Sequence, residues 1–442
     1  MKGLFNKWLS SFKKTQQKPV TYFVHVPKTA GTSFIVILDR FFAAKEIYPH
    51  QLWREIKNIN KQENNDFLLF RGHLGGGGLD VLTDRSVEYL TILRNPVELA
   101  QSTYEYVLRE KNTKVHDLVN EQNMSFDEFL IHATTQPLIK NRMVRNISFD
   151  FKHDPAAQEV FLSAETIEYL QGIIQTTGTQ ISEEKRLQRA IRFIKNSRWF
   201  GLLERFDESM QLLCFEMGWP PIGSTQKLNT FTQKKDLSAS IQKRLQLINE
   251  QDIILYDEAG QIFEHRLQTM KSTLEQLRRH DNESVDDLLD LRYQNQNQRP
   301  LLSFVEYNFS QVLLGNQWHR RELMQPEAEY FRWTGPQTKA SIDFWLNSQN
   351  YTVTVRIINA ISTEVLDGLK IKVNGQELDW KTEDTDVVRI IEMKCSKAMI
   401  ADNGLARLSF DTGTVKSHQA AFNSDDQRLV GIAVHWIQFK HV

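Results

Sequence analysis

Cysteine is scarce in this chain: Cys214 and Cys395 are the only two among 442 residues. Thiols so far apart in sequence make neither a metal cluster nor a disulfide framework, and a reduced compartment fits them best. Charge of one sign is lacking too. Lys and Arg number 54 against 55 Asp and Glu, a formal net charge of −1, so nothing global draws the protein to nucleic acid or an anionic membrane. Any anion site has to be local. No run approaches the length of a membrane span, and the opening MKGLFNKWLSSFKK lacks the uninterrupted apolar core of a signal peptide. Residues 1–19 read as a lead-in, with a membrane-surface helix as the lesser alternative, and the expected location is cytoplasmic. Neither a solenoid-type repeat, a metal-ligand spacing, nor the Walker order G-x-x-x-x-G-K-[ST] occurs.

What is present is ample apolar material. Forty per cent of residues are hydrophobic, with 26 Phe and nine Trp, and this length exceeds what one core usually serves, so two or three domains are expected. The most informative stretch is Thr21 to Phe42, TYFVHVPKTAGTSFIVILDRFF. A short apolar run, Tyr22 to Val26, meets a Pro27-Lys28-Thr29-Ala30-Gly31-Thr32-Ser33 turn and then Phe34, Leu38 and Phe41 at helical spacing, which predicts strand, tight loop, helix. In such a loop Gly31 would free the backbone to turn, successive N–H groups would converge on one anion at the helix start, Thr32 and Ser33 would add hydroxyls, and Lys28 a mobile cation. An ordinary strand-to-helix turn with a solvated lysine is the plain alternative.

Two further strands fit the same plan. Phe67 to Phe70 is wholly apolar, as a strand covered on both faces should be, and leads into Arg71-Gly72-His73-Leu74 and the glycines Gly75 to Gly78, a loop that is mobile or closely approached. Val87 to Leu93 ends in Arg94-Asn95-Pro96, with Asn95 placed as an N-cap, Pro96 at the first helical position and Glu98 at the reciprocal capping position. From Phe126 to Leu277 the pattern is mostly helical, with a fourth strand at Trp199 to Leu203. Residues 278–300 are polar and read as a linker. Beyond Leu301, alternating β-rich runs separated by Asn374-Gly375 and Asn403-Gly404 predict a small β-sandwich.

The loop Pro27 to Ser33 together with Leu93 to Glu98 and Ser102 resembles the sulfotransferases that use 3′-phosphoadenosine 5′-phosphosulfate (PAPS), especially the heparan sulfate 2-O-sulfotransferase type. Arg71-Gly72-His73, Asn141 to Arg145 (NRMVR) and Gly201 to Met217 add to the likeness, which covers roughly residues 20–275. The resemblance implies a P-loop-like α/β domain over 20–277, with a parallel sheet flanked by helices, joined through 278–300 to an all-β domain over 301–442. It implies that the backbone and hydroxyls of Thr29, Ala30, Gly31, Thr32 and Ser33 hold the 5′-phosphosulfate, that Lys28 contacts the leaving oxygen, and that Arg94 and Ser102 hold the 3′-phosphate. Each role makes physical sense, since a loose transition state builds charge on the leaving oxygen and a guanidinium offers a fork to a phosphate. No metal is needed. His73 is the candidate general base for a sugar hydroxyl, with a strand-capping or acceptor-binding role as its plainer reading; other sulfotransferases use a Glu, and Glu98 is nearby, though its capping role explains it more simply.

Other residues carry weaker readings. Arg145 is a cofactor or acceptor contact or a helix-surface arginine, Glu204-Arg205 an orienting pair or a plain ion pair, His25 a core or supporting residue, and Asn229 a contact to adenosine. The chain differs from the eukaryotic enzymes in having no amino-terminal membrane anchor and in its β domain. That difference suggests a bacterial enzyme acting on a polysaccharide precursor, glycolipid or small glycan. Residues 326–346, with Glu327 and Arg332-Trp333-Thr334-Gly335, resemble a β-sandwich module that accompanies bacterial glycosyltransferases, in which Trp318, Trp333 and Trp345 either stack on sugars or fill the core. A nucleotide-dependent kinase or NTPase, and a noncatalytic glycan-binding protein, are the rival readings.

Overall fold

The computed structural model describes residues 18–56, 59–113, 115–149, 181–223, 237–296, 299–326, 328–385 and 388–442. Asn229 and Glu327 lie outside the described residues. The chain divides into two compact units, each assembled from separated stretches: one from the residues up to Thr29 with Glu46–Phe200 and Ala239–Ala259, the other from Ala30–Lys45, Gly201–Ser238 and Gly260–Val442.

The amino-terminal sheet has four strands, β1 (Val20–Val24), β2 (Leu69–Gly72), β3 (Val87–Leu93) and β4 (Trp199–Leu202), in the order β2-β1-β3-β4. β1 runs parallel to both neighbours, pairing Val24 with Gly72 on one side and with Thr91 on the other. All five residues of β1 are buried, as a strand covered on both faces requires. Tyr22, Val24, Phe70, Leu74, Trp53 and Phe149 share one core cluster.

Helices follow the strands where the local chemistry starts them. Gly31–Leu38 forms α1. Pro96–Arg109 forms α2, where the Asn95 side chain accepts the N–H groups of Val97 and Glu98 and Pro96 fills the first helical turn, as the sequence predicts. The Glu98 carboxylate lies 3.8 Å from the Arg94 guanidinium. The short helix α3 (Arg142–Ile147) has no cap of its own, because Asn141 adopts a left-handed conformation. The cap comes from the helix Glu250–Glu275, whose Asp252 carboxylate accepts the N–H groups of Met143 and Val144 at 3.0 and 2.8 Å. In return the Asn141 side chain accepts the N–H groups of Gln251 and Asp252, and Asn249 accepts that of Asn141. Two helix starts thus satisfy each other's orphan donors.

In the second unit the carboxyl-terminal residues form antiparallel sheets of seven and five strands. Tyr351–Ala360 is central to the larger one, pairing with Val388–Cys395 and Ile432–His441, and buries alternate residues Val353, Val355 and Ile357. The Asn374-Gly375 turn has φ of 48° and 83° at its two residues, the left-handed pair that a tight hairpin of this hand requires. Within the stretch expected to be a linker, Val285–Gln296 is helical and buries Leu288, Leu289 and Tyr293; its apolar residues are too few to stand out from their polar neighbours. Phe304–Asn308, Glu329–Trp333 and Trp380–Thr385 are strands that the alternation did not reveal. Among the described residues, no helix is long and apolar enough to cross a membrane.

Candidate active site at the carboxyl edge of the parallel sheet

Leaving β1 the chain returns at β2 on one side, and leaving β2 it returns at β3 on the other. The order reverses between β1 and β3, and in open α/β sheets such a point leaves a crevice outside the strand ends. Lys28, His73 and Arg94 follow β1, β2 and β3 respectively, so one sheet edge gathers the three residues that the motifs singled out.

The loop after β1 is held in a costly shape. Lys28 and Ala30 have φ of 72° and 62°, a region that non-glycine residues occupy only when surroundings enforce it. The expected role of Gly31 changes accordingly: it is the first residue of α1, and the unusual backbone falls on its neighbours. Alternation of hand along a loop turns successive N–H groups to one side, the geometry of an anion-binding nest. Two contacts enforce it. The Thr29 hydroxyl, fully buried, donates to the Val26 carbonyl at 2.8 Å, and Arg94 Nη1 donates to the Lys28 carbonyl at 3.0 Å. Thr29 therefore spends its hydroxyl inside the loop, unlike the expected outward donor. Ala30, Gly31, Thr32 and Ser33 begin α1 in the second unit, with Thr32 exposed and Ser33 half-buried.

Positive charge accumulates here. Lys28 Nζ lies 4.2 Å from the centre of the Tyr106 ring, and burial first, then the cations Arg109, Arg142 and Arg94, lower the Lys28 ammonium to about 8, with Glu105 opposing. Arg94 keeps a buried Nε that has no partner among the described residues. Arg142 Nη1 donates to the Thr103 hydroxyl at 2.7 Å, and burial followed by Arg145 brings its guanidinium down to about 10. Ser102 sits on α2 one turn before Tyr106 and is half-buried.

His73 is held in one tautomer. Its Nδ1 lies 2.8 Å from the His25 carbonyl, and a carbonyl only accepts, so Nδ1 carries the proton and Nε2 keeps its lone pair. Burial drives the imidazole down to about 4, with the hydrogen bond to His25 opposing. The His25 ring stacks on it at 4.2 Å and is itself lowered, by burial and then by His73. Gly72 sets the turn before it: φ is 146°, and a Cβ there would meet the Gln51 carbonyl oxygen at 2.3 Å. The glycines beyond are closely approached, with Tyr22 donating to the Gly75 carbonyl at 2.8 Å and the N–H groups of Gly76 and Gly77 donating to Asn146 and Phe149.

Tyr106, Arg109 and Arg142 were not singled out in the sequence. Tyr106 had a signal, being one helical turn after Ser102; the signal for Arg142 was its place within the Asn141 to Arg145 motif. Arg145 instead donates to the Pro137 carbonyl at 2.5 Å, and Arg205 pairs with Glu208 at 2.6 Å and with Glu264. Trp318, Trp333 and Trp345 are each 5% exposed or less; the first two belong to the β core cluster, and Trp345 packs against Tyr293 and Arg299.

No family model matches the chain, and no curated protein matches it. Among solved structures, the chain matches a family GH115 4-O-methyl-α-glucuronidase with specificity for decorated arabinogalactans at 8% identity and a TM-score of 0.19, over 89% of this chain and 49% of that one. The chain spans about half the length of that enzyme, and a likeness so slight carries no argument about fold or activity. The geometry stands alone: a cluster of cations at the strand ends and an imidazole whose Nδ1 is fixed by the His25 carbonyl.

Proposed function

We propose that the protein is a P-loop-like sulfotransferase that moves a sulfuryl group from PAPS to a hydroxyl of a glycan or glycoconjugate. The observation that carries this reading is the crowding of Lys28, Arg94, Arg109 and Arg142 at the strand switch point, where burial first and the neighbouring cations second depress the lysine. Cations held together at such cost suit a ligand of several negative charges. The residues present fit PAPS: Arg94 brings an unpartnered buried Nε, Ser102 a hydroxyl from α2, and the loop a strained backbone suited to an oxyanion. PAPS, when bound, supplies an activated sulfuryl group. The backbone of Thr29 to Ser33, with the Thr32 and Ser33 hydroxyls, holds the 5′-phosphosulfate, and Arg94 with Ser102 holds the 3′-phosphate. Lys28 neutralises the oxygen that leaves as the sulfur–oxygen bond breaks, while the acceptor oxygen forms the new bond and gives its proton to His73 Nε2.

The test is calorimetric titration with adenosine 3′,5′-bisphosphate against ADP and ATP. Binding of the bisphosphate in preference to both, weakened by about 1.5–3 kcal/mol in Arg94→Ala as for loss of a charge-assisted bond, supports the reading. Preference for ATP with magnesium overturns it in favour of a kinase. With the donor established, His73→Ala is expected to slow transfer by about 10²–10⁴ without loss of donor affinity.

A further inference from the structure

The second unit contains a cavity that has Thr32 and Ser33 of the proposed donor loop on one wall and residues with no part in the donor chemistry on the others. It has a volume of about 290 Å³. Val36, Ile37, Ile222 and Pro336 give it apolar walls, and its charged lining is Arg40, Arg320 and Arg428 against Asp426. Those cations are not equivalent. Arg428 is committed, with its guanidinium bound to Asp426 at 2.6 Å and to Glu322 at 2.7 Å. Arg40 is only 4% exposed, yet its Nε has no partner among the described residues and its aromatic neighbour Phe41 lies 6.0 Å away. Burial lowers the Arg40 guanidinium to about 10. A buried cation without a counter-charge is expensive, and proteins keep one where something else supplies the charge.

Its position is fixed by backbone bonds that do not involve the guanidinium. The Arg40 carbonyl accepts the Leu313 N–H at 2.7 Å, Ala44 donates to the Ser310 carbonyl at 2.7 Å, and Arg321 donates to the Phe42 carbonyl at 2.9 Å. His319, on the cavity wall, directs Nε2 to the Leu429 carbonyl at 2.7 Å, so it offers no second cation.

We infer that this cavity binds a small organic oxyanion, whose negative group seats on Arg40 and whose apolar body lies against Val36, Ile37 and Ile222. Thr32 and Ser33 on its wall are shared with the proposed donor site, but the seat is Arg40, so the inference does not depend on the sulfotransferase reading. Carboxylates and sulfate or phosphate esters share the recognising chemistry, and the probes separate them. Melting temperature and calorimetry are measured with benzoate, with inorganic sulfate and with phosphate, each against sodium chloride of matched ionic strength. The expected result is saturable stabilisation by at least one oxyanion, with affinity weakened by about tenfold or more in Arg40→Met and abolished in Val36→Phe, which fills the cavity and leaves the charge. Without ligand, Arg40→Met is expected to melt at or above the wild-type temperature, because it removes an uncompensated charge. Adenosine 3′,5′-bisphosphate is expected to keep its affinity in Arg40→Met, which leaves Thr32 and Ser33 in place. The inference is overturned if no oxyanion stabilises the wild type beyond chloride, if Arg40→Met melts lower and keeps the response, or if Arg40→Met weakens the bisphosphate as much as the probe.

Discussion

Arg407 and Arg94 show two ways of keeping a guanidinium inside a protein. Arg407, in the carboxyl-terminal sheets, meets Asp343 through Nε and Nη2 and Asp290 through Nη1 and Nη2, all between 2.6 and 2.8 Å. Its charge is used up. Arg94, at the parallel-sheet edge, has one carbonyl at 3.0 Å, a glutamate at 3.8 Å and an idle Nε. The first arrangement binds a helix to a strand; the second leaves hydrogen-bonding capacity for something that arrives later. The two differ in how fully the charge is satisfied, and only the second suits the donor-binding role proposed for it.

The contrast can be broken by measurement. Arg407→Ala strands the nearly inaccessible Asp343 carboxylate, and an expected loss of about 3–5 kcal/mol, the usual consequence of removing one partner of a buried pair, is read by chemical denaturation. A cost under about 1 kcal/mol, the range of exposed pairs, would erase the distinction. Lys28→Ala is expected to lower transfer by about 10²–10³, the scale of losing one preorganised charge at a developing oxyanion, while sparing stability. That variant should melt near the wild type, since its loop is enforced by Thr29 and Arg94 and the lysine head gives up only its contact with the Tyr106 ring.

Titration sharpens the same point. For the proposed transfer His73 must be unprotonated and Lys28 protonated, so kcat/KM is expected to rise as pH passes about 4 and to fall as it passes about 8. Lys28→Arg should extend activity past the alkaline limb, because a guanidinium keeps its charge. The lowered histidine also bears on stability. Its pKa is depressed on folding, so the unfolded chain takes up the proton first, and stability is expected to decline as pH falls from about 6.5 toward about 4. His73→Gln should flatten that slope. The smallest effect is expected for Asn141→Ala, about 0.5–2 kcal/mol for a lost cap, read by thermal denaturation.

Much of the sheet was legible because its signals are local. The wholly apolar run before Arg71 marked β2 to within two residues, Val87–Leu93 was read in full, and Asn95-Pro96 announced α2 by cap chemistry alone. The edge that collects Lys28, His73 and Arg94 was legible too, since residues after parallel strands share one end of the sheet. What surrounds them was not. Arg142 reaches the site because Asp252, more than a hundred residues later, caps its helix, and no local pattern encodes that partnership. Asn141, noted for its motif, serves as a cap; its reach is to Gln251 and Asp252. The three tryptophans could not be assigned from sequence because a ring that packs and a ring that binds sugar are the same residue, and only burial separates them.

The exchanged caps between α3 and the helix beginning at Glu250 have a consequence for how this region opens. Neither helix can fray from its start without exposing donors on the other, so the amides of Met143, Val144, Gln251 and Asp252 should exchange with deuterium as one cooperative unit. Their protection is set by the harder of the two openings, and Arg142, carried on the shorter helix, inherits the rigidity of a helix of 26 residues.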